Sequence, residues 1–193
     1  PEIGGVETQV YGLVKNLKAM GHFPIVITSG RARKPSEFPE VLRLPSISLR
    51  GAWGSLTISP TIFQALKKIN ADVIHTHTPA RFFAESTTFF FKFVRKGAPV
   101  VWSYHCHNES LRRISGIALN LHNRTVMTFL FSHVDKIIVP SHLYKRLIES
   151  HFGIDGGKIA VIPSGIDTGM FSPFRFSIET QKERFGIFNT NVI

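Results

Sequence analysis

Short apolar strands alternate with amphipathic helices along this chain, and the alternation limits the fold more than any other feature of the sequence. The strand segments are rich in Val and Ile and are apolar on both faces. Strands of this kind are typical of a parallel sheet that helices cover on both sides. We therefore predict an α/β fold built on a doubly wound, mostly parallel, Rossmann-like sheet.

Helix-end signals and apolar runs place the predicted elements. An apolar stripe at helical spacing predicts a first helix that ends at Gly21. Ser59 and Pro60 are expected to be the N-cap and first residue of a second helix, and Ser141 the N-cap of a later one that ends before Gly153. Strands are predicted at Ile25–Thr28, at Val41–Pro45, just before His75, at Val100–Ser103, in "KIIVPS" and in "KIAVIPSGID".

Composition excludes several classes of protein. No apolar run reaches the ~18 residues of a membrane-spanning helix, and no basic-then-apolar leader is present. Cys106 is the only cysteine, so no internal disulfide can form and a cytoplasmic location is expected. The net charge of +10 suits a phosphate-bearing substrate or an anionic membrane surface. Lys and Arg are scattered without a nucleic-acid-binding motif, so we expect no nucleic-acid partner.

Two adjacent glycines, Gly4 and Gly5, stand directly before the first helix. A turn without Cβ atoms lets backbone N–H groups approach a phosphate, and the helix dipole favours an anion at the same point. This predicts a ligand-binding turn at Gly4 and Gly5. A tight turn with no ligand remains the alternative, because the full G-x-G-x-x-G fingerprint is absent.

Two His-x-His pairs, His75 with His77 and His105 with His107, fall at the ends of predicted strands. Residues two apart on a strand face the same side, so either pair could bind zinc, and a metal-dependent hydrolase stays open as an alternative. No cluster of acidic residues accompanies the pairs, so we assign no metal ligand. Cys106 could supply a thiolate nucleophile, but no third orienting group can be identified.

Six segments occur in an order that resembles the N-terminal domain of retaining glycosyltransferases with the GT-B fold, family four. That family shows a P-x-x-GG-x-E start, a helix ending in Gly-His, a D-V-I-H-x-H strand, a T-x-H, a D-x-i-i-x-S strand and a vIpnGiD…F-x-P exit. The resemblance covers nearly the whole chain. The matching segments are "PEIGGVE", Gly21–His22, Asp72–His77, Ser103–His105, Asp135–Ser141 and Val161–Pro173.

The resemblance implies that this chain is one half of a two-domain GT-B enzyme. Residues 1–167 would form the N-terminal, acceptor-side Rossmann-like domain. Residues 168–193 would form a linker and the start of a truncated C-terminal donor-binding domain. Family members have a strand before the P-x-x-GG loop, and this first strand is expected to be missing here. The chain alone is therefore expected to be inactive.

The activity implied by the resemblance is the transfer of a sugar from a UDP-, GDP- or ADP-sugar to an acceptor hydroxyl, with the anomeric configuration retained. The transfer itself needs no metal or other cofactor in this family. A non-catalytic nucleotide-binding module is the remaining alternative. The residues implied are His105 as the catalytic residue, Gly4, Gly5, Arg81 and Cys106 as donor or acceptor contacts, and His75 and His77 as supports of the loop.

A peripheral association with an anionic membrane is also expected, because relatives often act on sugar or lipid-linked acceptors at the cytoplasmic face. The segment "SLRRISGIALNLHNRTVMTFLF" combines basic and apolar residues, as membrane-surface helices do. Its basic residues are Arg112, Arg113 and Arg124, and its apolar ones include Leu119, Leu121, Phe129 and Phe131. A separate Phe stripe on a helix predicted from Pro79 to Lys96 is expected to pack on the sheet; it comprises Phe82, Phe83, Phe89, Phe90 and Phe93.

Overall fold

A computed structural model describes residues 4–30, 40–51, 54–78, 82–106, 117, 120–168 and 186. The chain divides into two compact units, Pro1–Pro163 and Ser164–Ile193. The second unit is described only at residues 164–168 and 186. The helices and strands given below all lie in the first unit.

From Ile62 onwards the described helices and strands alternate as the sequence predicts, whereas four strands follow one another between Val26 and Ile58. Two of the helices adjoin π-helical turns, in which the backbone bonds to the fifth residue rather than the fourth. In chain order the elements are α1 (Gly5–Ala19), β1 (Val26–Ser29), β2 (Val41–Leu44), β3 (Ile47–Gly51), β4 (Gly54–Ile58), α2 (Ile62–Lys68), β5 (Ile74–Thr78), α3 (Phe83–Phe89) with the π-turn Phe90–Val94, β6 (Val100–Tyr104), the π-turn Asn123–Met127 with α4 (Thr128–His133), β7 (Lys136–Val139), α5 (His142–Phe152) and β8 (Ile159–Val161).

The central sheet has four parallel strands in the order β5-β6-β7-β8. Each strand leads through a helical connection to its neighbour, as parallel pairing requires. A second parallel pair joins β1 to β2, and β3 pairs with β4 as an antiparallel hairpin. The α/β fold with a parallel sheet is therefore confirmed.

One face of the four-stranded sheet carries the core. Trp102 and Val100 on β6 and Ile137 on β7 are fully buried. The Trp102 ring meets Phe131 of α4 edge-on, with ring centroids 5.2 Å apart. Fully burying a large apolar side chain contributes roughly 1.5–3 kcal/mol. The covered face therefore holds strand β6 firmly between its neighbours.

Asp135, which opens the D-x-i-i-x-S motif, also fixes the start of β6. Its carboxylate accepts the Val100 N–H at 2.6 Å and the Lys92 ammonium at 3.0 Å. Burial alone would raise the pKa of this carboxyl, but the two hydrogen bonds together with the charges of Lys92 and Lys158 lower the pKa below its ordinary value. The motif's acidic residue thus ties β7 to β6 and to the π-turn after α3.

The hairpin of β3 and β4 is absent from the sequence prediction, which ran from Val41–Pro45 directly to Ser59. The predicted start of the next helix was also wrong by two residues. Thr61 is the N-cap of α2, and the Ser59 carbonyl instead accepts the Ile62 N–H at 3.3 Å. Ser59 therefore belongs to the turn through Pro60 and does not act as the N-cap of α2.

The Phe stripe is only partly as predicted. Phe83 and Phe90 are buried, but Phe89 is 46% exposed, and Phe91, which the prediction left out, is 3% exposed. The backbone changes to π-helical geometry after Phe89, and the Arg95 N–H bonds to the Phe90 carbonyl five residues back. This change rotates the later side chains relative to a regular helix, so a 3.6-residue period misplaces them.

We predict that Ser141→Ala destabilises the fold by about 1 kcal/mol, the usual contribution of an N-cap. The Ser141 hydroxyl accepts the Tyr144 N–H at the start of α5, and Gly153 ends this helix in the left-handed conformation (φ 66°). Urea unfolding at pH 7 measures the change. The matched control is Ser150→Ala in the exposed part of the same helix, which should shift stability by less than ~0.5 kcal/mol; equal losses in both variants would contradict the capping role.

Candidate functional site

The pairing of β5 with β6 brings three histidines onto one face of the sheet. His75 lies opposite Val101 and His77 opposite Ser103 in the parallel register. His105 follows Tyr104, the last residue of β6, two positions after Ser103. Alternate residues of a strand share a face, so these side chains lie opposite the buried core.

His77 is the middle ring of the three. Its Nδ1 lies 3.0 Å from Nε2 of His105, a hydrogen bond between the two imidazoles. The planes of the His77 and His105 rings are 6° from parallel with centroids 5.3 Å apart, and the centroid of the His75 ring lies 4.2 Å from that of His77. His75 in turn pairs its Nε2 with the Ser103 hydroxyl at 2.8 Å. The carboxyl ends of β5 and β6 thus form one connected imidazole cluster.

Threonine hydroxyls hold the two strand ends in place. Thr78 donates its hydroxyl to the Ser103 carbonyl and accepts the His105 N–H, at 3.3 and 3.4 Å. Thr78 is itself buried. The backbone of His105 is therefore anchored although the residue lies just past the end of its strand.

The cluster is electrically neutral at physiological pH. Loss of water lowers the pKa of His77 to about 3, with smaller contributions from the neighbouring His75 and His105 rings. Desolvation also lowers the pKa of His105 and, together with the charge on His105, that of His75. A neutral imidazole offers one N–H donor and one acceptor nitrogen. The site can therefore orient a ligand's hydroxyl groups by hydrogen bonding.

The structure places the other predicted site residues as follows. Gly4 is the N-cap of α1 and Gly5 is its first residue. Among the described residues, no hydrogen bond or ring contact joins either glycine to His105. Cys106 is half-buried directly after His105. Arg81 and His107 lie outside the described residues. Within the described part of the chain, no group of three or more His, Cys, Asp or Glu could hold a metal ion.

Two features of the site were missed in the sequence. His77 was expected to support the loop, whereas its ring bonds directly to His105; alternate histidines at the ends of two neighbouring parallel strands are the signal that indicates such contact. Phe82 has an unusual backbone conformation (φ 68°, ψ −48°) shortly after β5. Glu85 accepts the Phe82 N–H at 3.3 Å. Strain of this kind costs about 1–3 kcal/mol and often accompanies functional loops, but no sequence signal indicates it.

The lowered pKa of His77 predicts a pH dependence of stability. Between pH 3 and the ordinary histidine pKa of 6.5, the unfolded chain binds a proton that folded His77 does not. The free energy of unfolding should therefore fall as the pH drops below 6.5, by up to ~1.4 kcal/mol per pH unit for this one group. Urea unfolding from pH 8 to pH 5 measures the slope. His77→Phe should flatten it, and an unchanged slope in that variant would show that His77 is not the group responsible.

The chain is similar to known proteins over most of its length. The chain is 25% identical over 184 residues to a phosphatidylinositol N-acetylglucosaminyltransferase subunit of Arabidopsis thaliana; the match covers 90% of this chain and 39% of that protein. It also resembles the crystal structure of a glycosyltransferase from Rickettsia africae ESF-5, with a TM-score of 0.63 and 21% identity, over 97% of this chain and 47% of that one. The chain thus spans less than half the length of both.

The family model of Glycosyltransferase Family 4 matches residues 3–169, which include both strands of the histidine cluster and the glycine turn. The solved structure shows the same fold, and the match to the plant protein extends over nearly the same part of the chain. This chain therefore belongs to glycosyltransferase family 4 and is a GT-B glycosyltransferase domain.

Proposed function

We propose that the protein carrying this chain transfers a sugar from a nucleotide sugar to an acceptor hydroxyl with retention of the anomeric configuration. The observation that carries the proposal is the position of His105. It lies at the carboxyl end of β6, where ligands bind in open α/β sheets, and its ring is neutral and held by His77.

In this mechanism, His105 hydrogen-bonds the donor sugar and orients it over the acceptor. Holding two reactants in reacting geometry removes a large part of the entropic barrier of a bimolecular step. The neutral ring adds no charge of its own. The leaving diphosphate is stabilised by helix dipoles and basic residues of a chain whose net charge is +10. No metal or other cofactor takes part in the transfer.

The glycine turn supports a ligand role for Gly5. Gly4 is extended (φ −144°), a conformation that any residue adopts. A Cβ added to Gly4 would meet only the flexible end of the Glu7 side chain, and one added to Gly5 would meet no described atom within 4 Å. The described packing therefore does not require glycine at either position. Close approach of a diphosphate or an acceptor to the start of α1 does explain both glycines.

The donor is proposed to be a UDP-, GDP- or ADP-sugar, and the acceptor a sugar or a lipid-linked hydroxyl. The plant relative is named as a phosphatidylinositol N-acetylglucosaminyltransferase subunit. This name supports a lipid-linked acceptor over a free sugar. Arg81 and Cys106, which follow β5 and β6, are proposed as acceptor or donor contacts.

Paired glycine variants test the proposal in the full-length protein. Gly5→Ala should not lower stability, because alanine is a better helix former than glycine, yet it should lower kcat/KM at least ~10-fold by blocking ligand approach. His105→Ala should lower kcat by ~10²-fold or more. Transfer from a labelled nucleotide sugar in EDTA measures both, and product NMR reports the anomeric configuration.

The matched control is Gly12→Ala, in the same helix and also with open space around the added Cβ. It should raise stability by up to ~1 kcal/mol, because alanine is a better helix former than glycine in a helix interior, and it should change transfer by less than twofold. Equal effects of Gly5→Ala and Gly12→Ala would contradict the ligand role of the turn. Metal-dependent hydrolysis without transfer, or nucleotide binding with no reaction, would favour one of the two alternative functions.

Peripheral attachment to an anionic membrane is proposed as the setting of this reaction. Leu121 and Phe129 are 63% and 47% exposed, and Arg124 between them is exposed. Phe129 also lines an apolar groove of about 500 Å³, together with Phe63 and Phe89. Phe131, which was expected on this surface, is fully buried in the core. Arg112, Arg113 and Leu119 lie outside the described residues. No helix among the described residues is long and apolar enough to cross a bilayer.

Co-sedimentation with phosphatidylserine-containing vesicles at low salt tests this attachment. The double variant Leu121→Ser, Phe129→Ser should bind at least ~10-fold more weakly, because it removes exposed apolar area that would enter the interface. Leu143→Ser serves as the control, since Leu143 is 65% exposed on the separate helix α5. Absence of vesicle binding by the unaltered protein, or equal loss in the control, would end the membrane proposal.

A further inference from the structure

The hydrogen bond between His77 and His105 couples the protonation of the two rings. The 3.0 Å contact joins Nδ1 of His77 to Nε2 of His105, so one of these nitrogens must carry a proton and the other a lone pair. With both rings neutral, only two arrangements satisfy this condition. Either both rings carry their proton on Nδ1, or both carry it on Nε2.

The second arrangement agrees better with the surroundings of the pair. Neutral imidazole carries its proton on Nε2 more readily than on Nδ1, so this arrangement gives both rings the preferred form. It also lets His77 act as an acceptor whether His105 is neutral or protonated, because the Nε2–H of His105 is present in both states. His77 suits this role since loss of water keeps its ring unprotonated down to a pKa of about 3.

We infer that His77 is a positioning residue whose Nδ1 accepts the Nε2–H of His105, so that Nδ1 of His105 is the ring nitrogen that meets the ligand. Within the described residues, Nδ1 of His105 has no hydrogen-bond partner. A lone pair there accepts a hydrogen bond from a ligand hydroxyl. For the sugar transfer proposed above, on which this catalytic consequence rests, His77 thus decides which atom of His105 faces the sugar.

The neighbouring groups hold His77 without competing for the same nitrogen. The His75 ring lies 4.2 Å from it, tilted by 31°, but bonds through its own Nε2 to the Ser103 hydroxyl. The His105 backbone is fixed separately, by Thr78. The geometry therefore separates two functions: the backbone contact places His105, and the His77 contact sets its proton and ring orientation.

Nitrogen NMR of the ¹⁵N-labelled protein at pH 7.5 tests the assignment directly, because protonated and unprotonated ring nitrogens have well-separated shifts. We expect the unaltered protein to show Nε2–H on both His77 and His105. His77→Phe keeps a stacking ring without the acceptor, so His105 should lose its single tautomer and show averaged shifts. His77→Asn places an amide oxygen near the former Nδ1, so His105 should recover the Nε2–H form.

His75→Phe is the matched control, since it alters a neighbouring histidine that makes no bond to His105. The His105 tautomer should be unchanged in this variant. An Nδ1–H form of His105 in the unaltered protein, or the same His105 spectrum in His77→Phe as in the unaltered protein, would overturn the assignment. If His77→Phe does not fold, the unaltered protein and His77→Asn still decide, because an Nδ1–H signal on His105 in either one refutes the proposal.

Transfer kinetics of the full-length protein then separate positioning from mere support. His77→Phe should lower kcat about 10-fold, the factor equivalent to one hydrogen bond's net contribution, with donor KM within twofold, and His77→Asn should recover most of the loss. An equally low kcat in both variants would overturn the positioning role. If the unaltered protein transfers no sugar from any nucleotide sugar, the proposed function fails, whereas the NMR comparison still decides whether His77 sets the tautomer of His105.

Discussion

The parallel pairing of β5 with β6 is the constraint on which the site depends. Its register sets His77 opposite Ser103 and leaves His105 just beyond the shared strand end. A shift of one residue would turn every side chain of β5 to the other face, placing the histidines in the core. The buried face prevents that shift, because Trp102 on β6 and the threonines of β5 fit the covered side.

The two faces of this sheet have different chemistry for one physical reason. One face buries aromatic and aliphatic side chains such as Trp102, while the opposite face of β5 and β6 carries the three histidines, of which His77 and His105 are half-buried. Partial loss of water is enough to hold the imidazoles neutral but not to forbid hydrogen bonds between them. A family-4 glycosyltransferase domain thus presents hydrogen-bonding rings, rather than cations, at the edge where the sheet ends.

Prediction from the sequence succeeded where a signal is local. The parallel α/β class follows from apolar runs that are visible in short segments of the sequence. The serine and glycine at the two ends of α5 were identified from their residue types alone. Prediction failed where contacts between residues far apart in the sequence determine the structure. The backbone becomes π-helical after Phe89, so an ideal helical period left out the buried Phe91. The predicted start of α2 was two residues early, because Ser59 belongs to the preceding turn and Thr61 is the N-cap.

The sequence by itself determined the fold class and the family motifs, and it singled out His105 as a candidate, because each depends on residue types at short spacing. Only the tertiary structure decided what His105 touches. His77 and His105 are 28 residues apart along the chain, and their contact exists because a helical connection returns the backbone to an adjacent parallel strand. Hydrogen bonding between rings depends on separations of a few ångströms. Strand register and core packing determine these separations, whereas the local residue pattern does not.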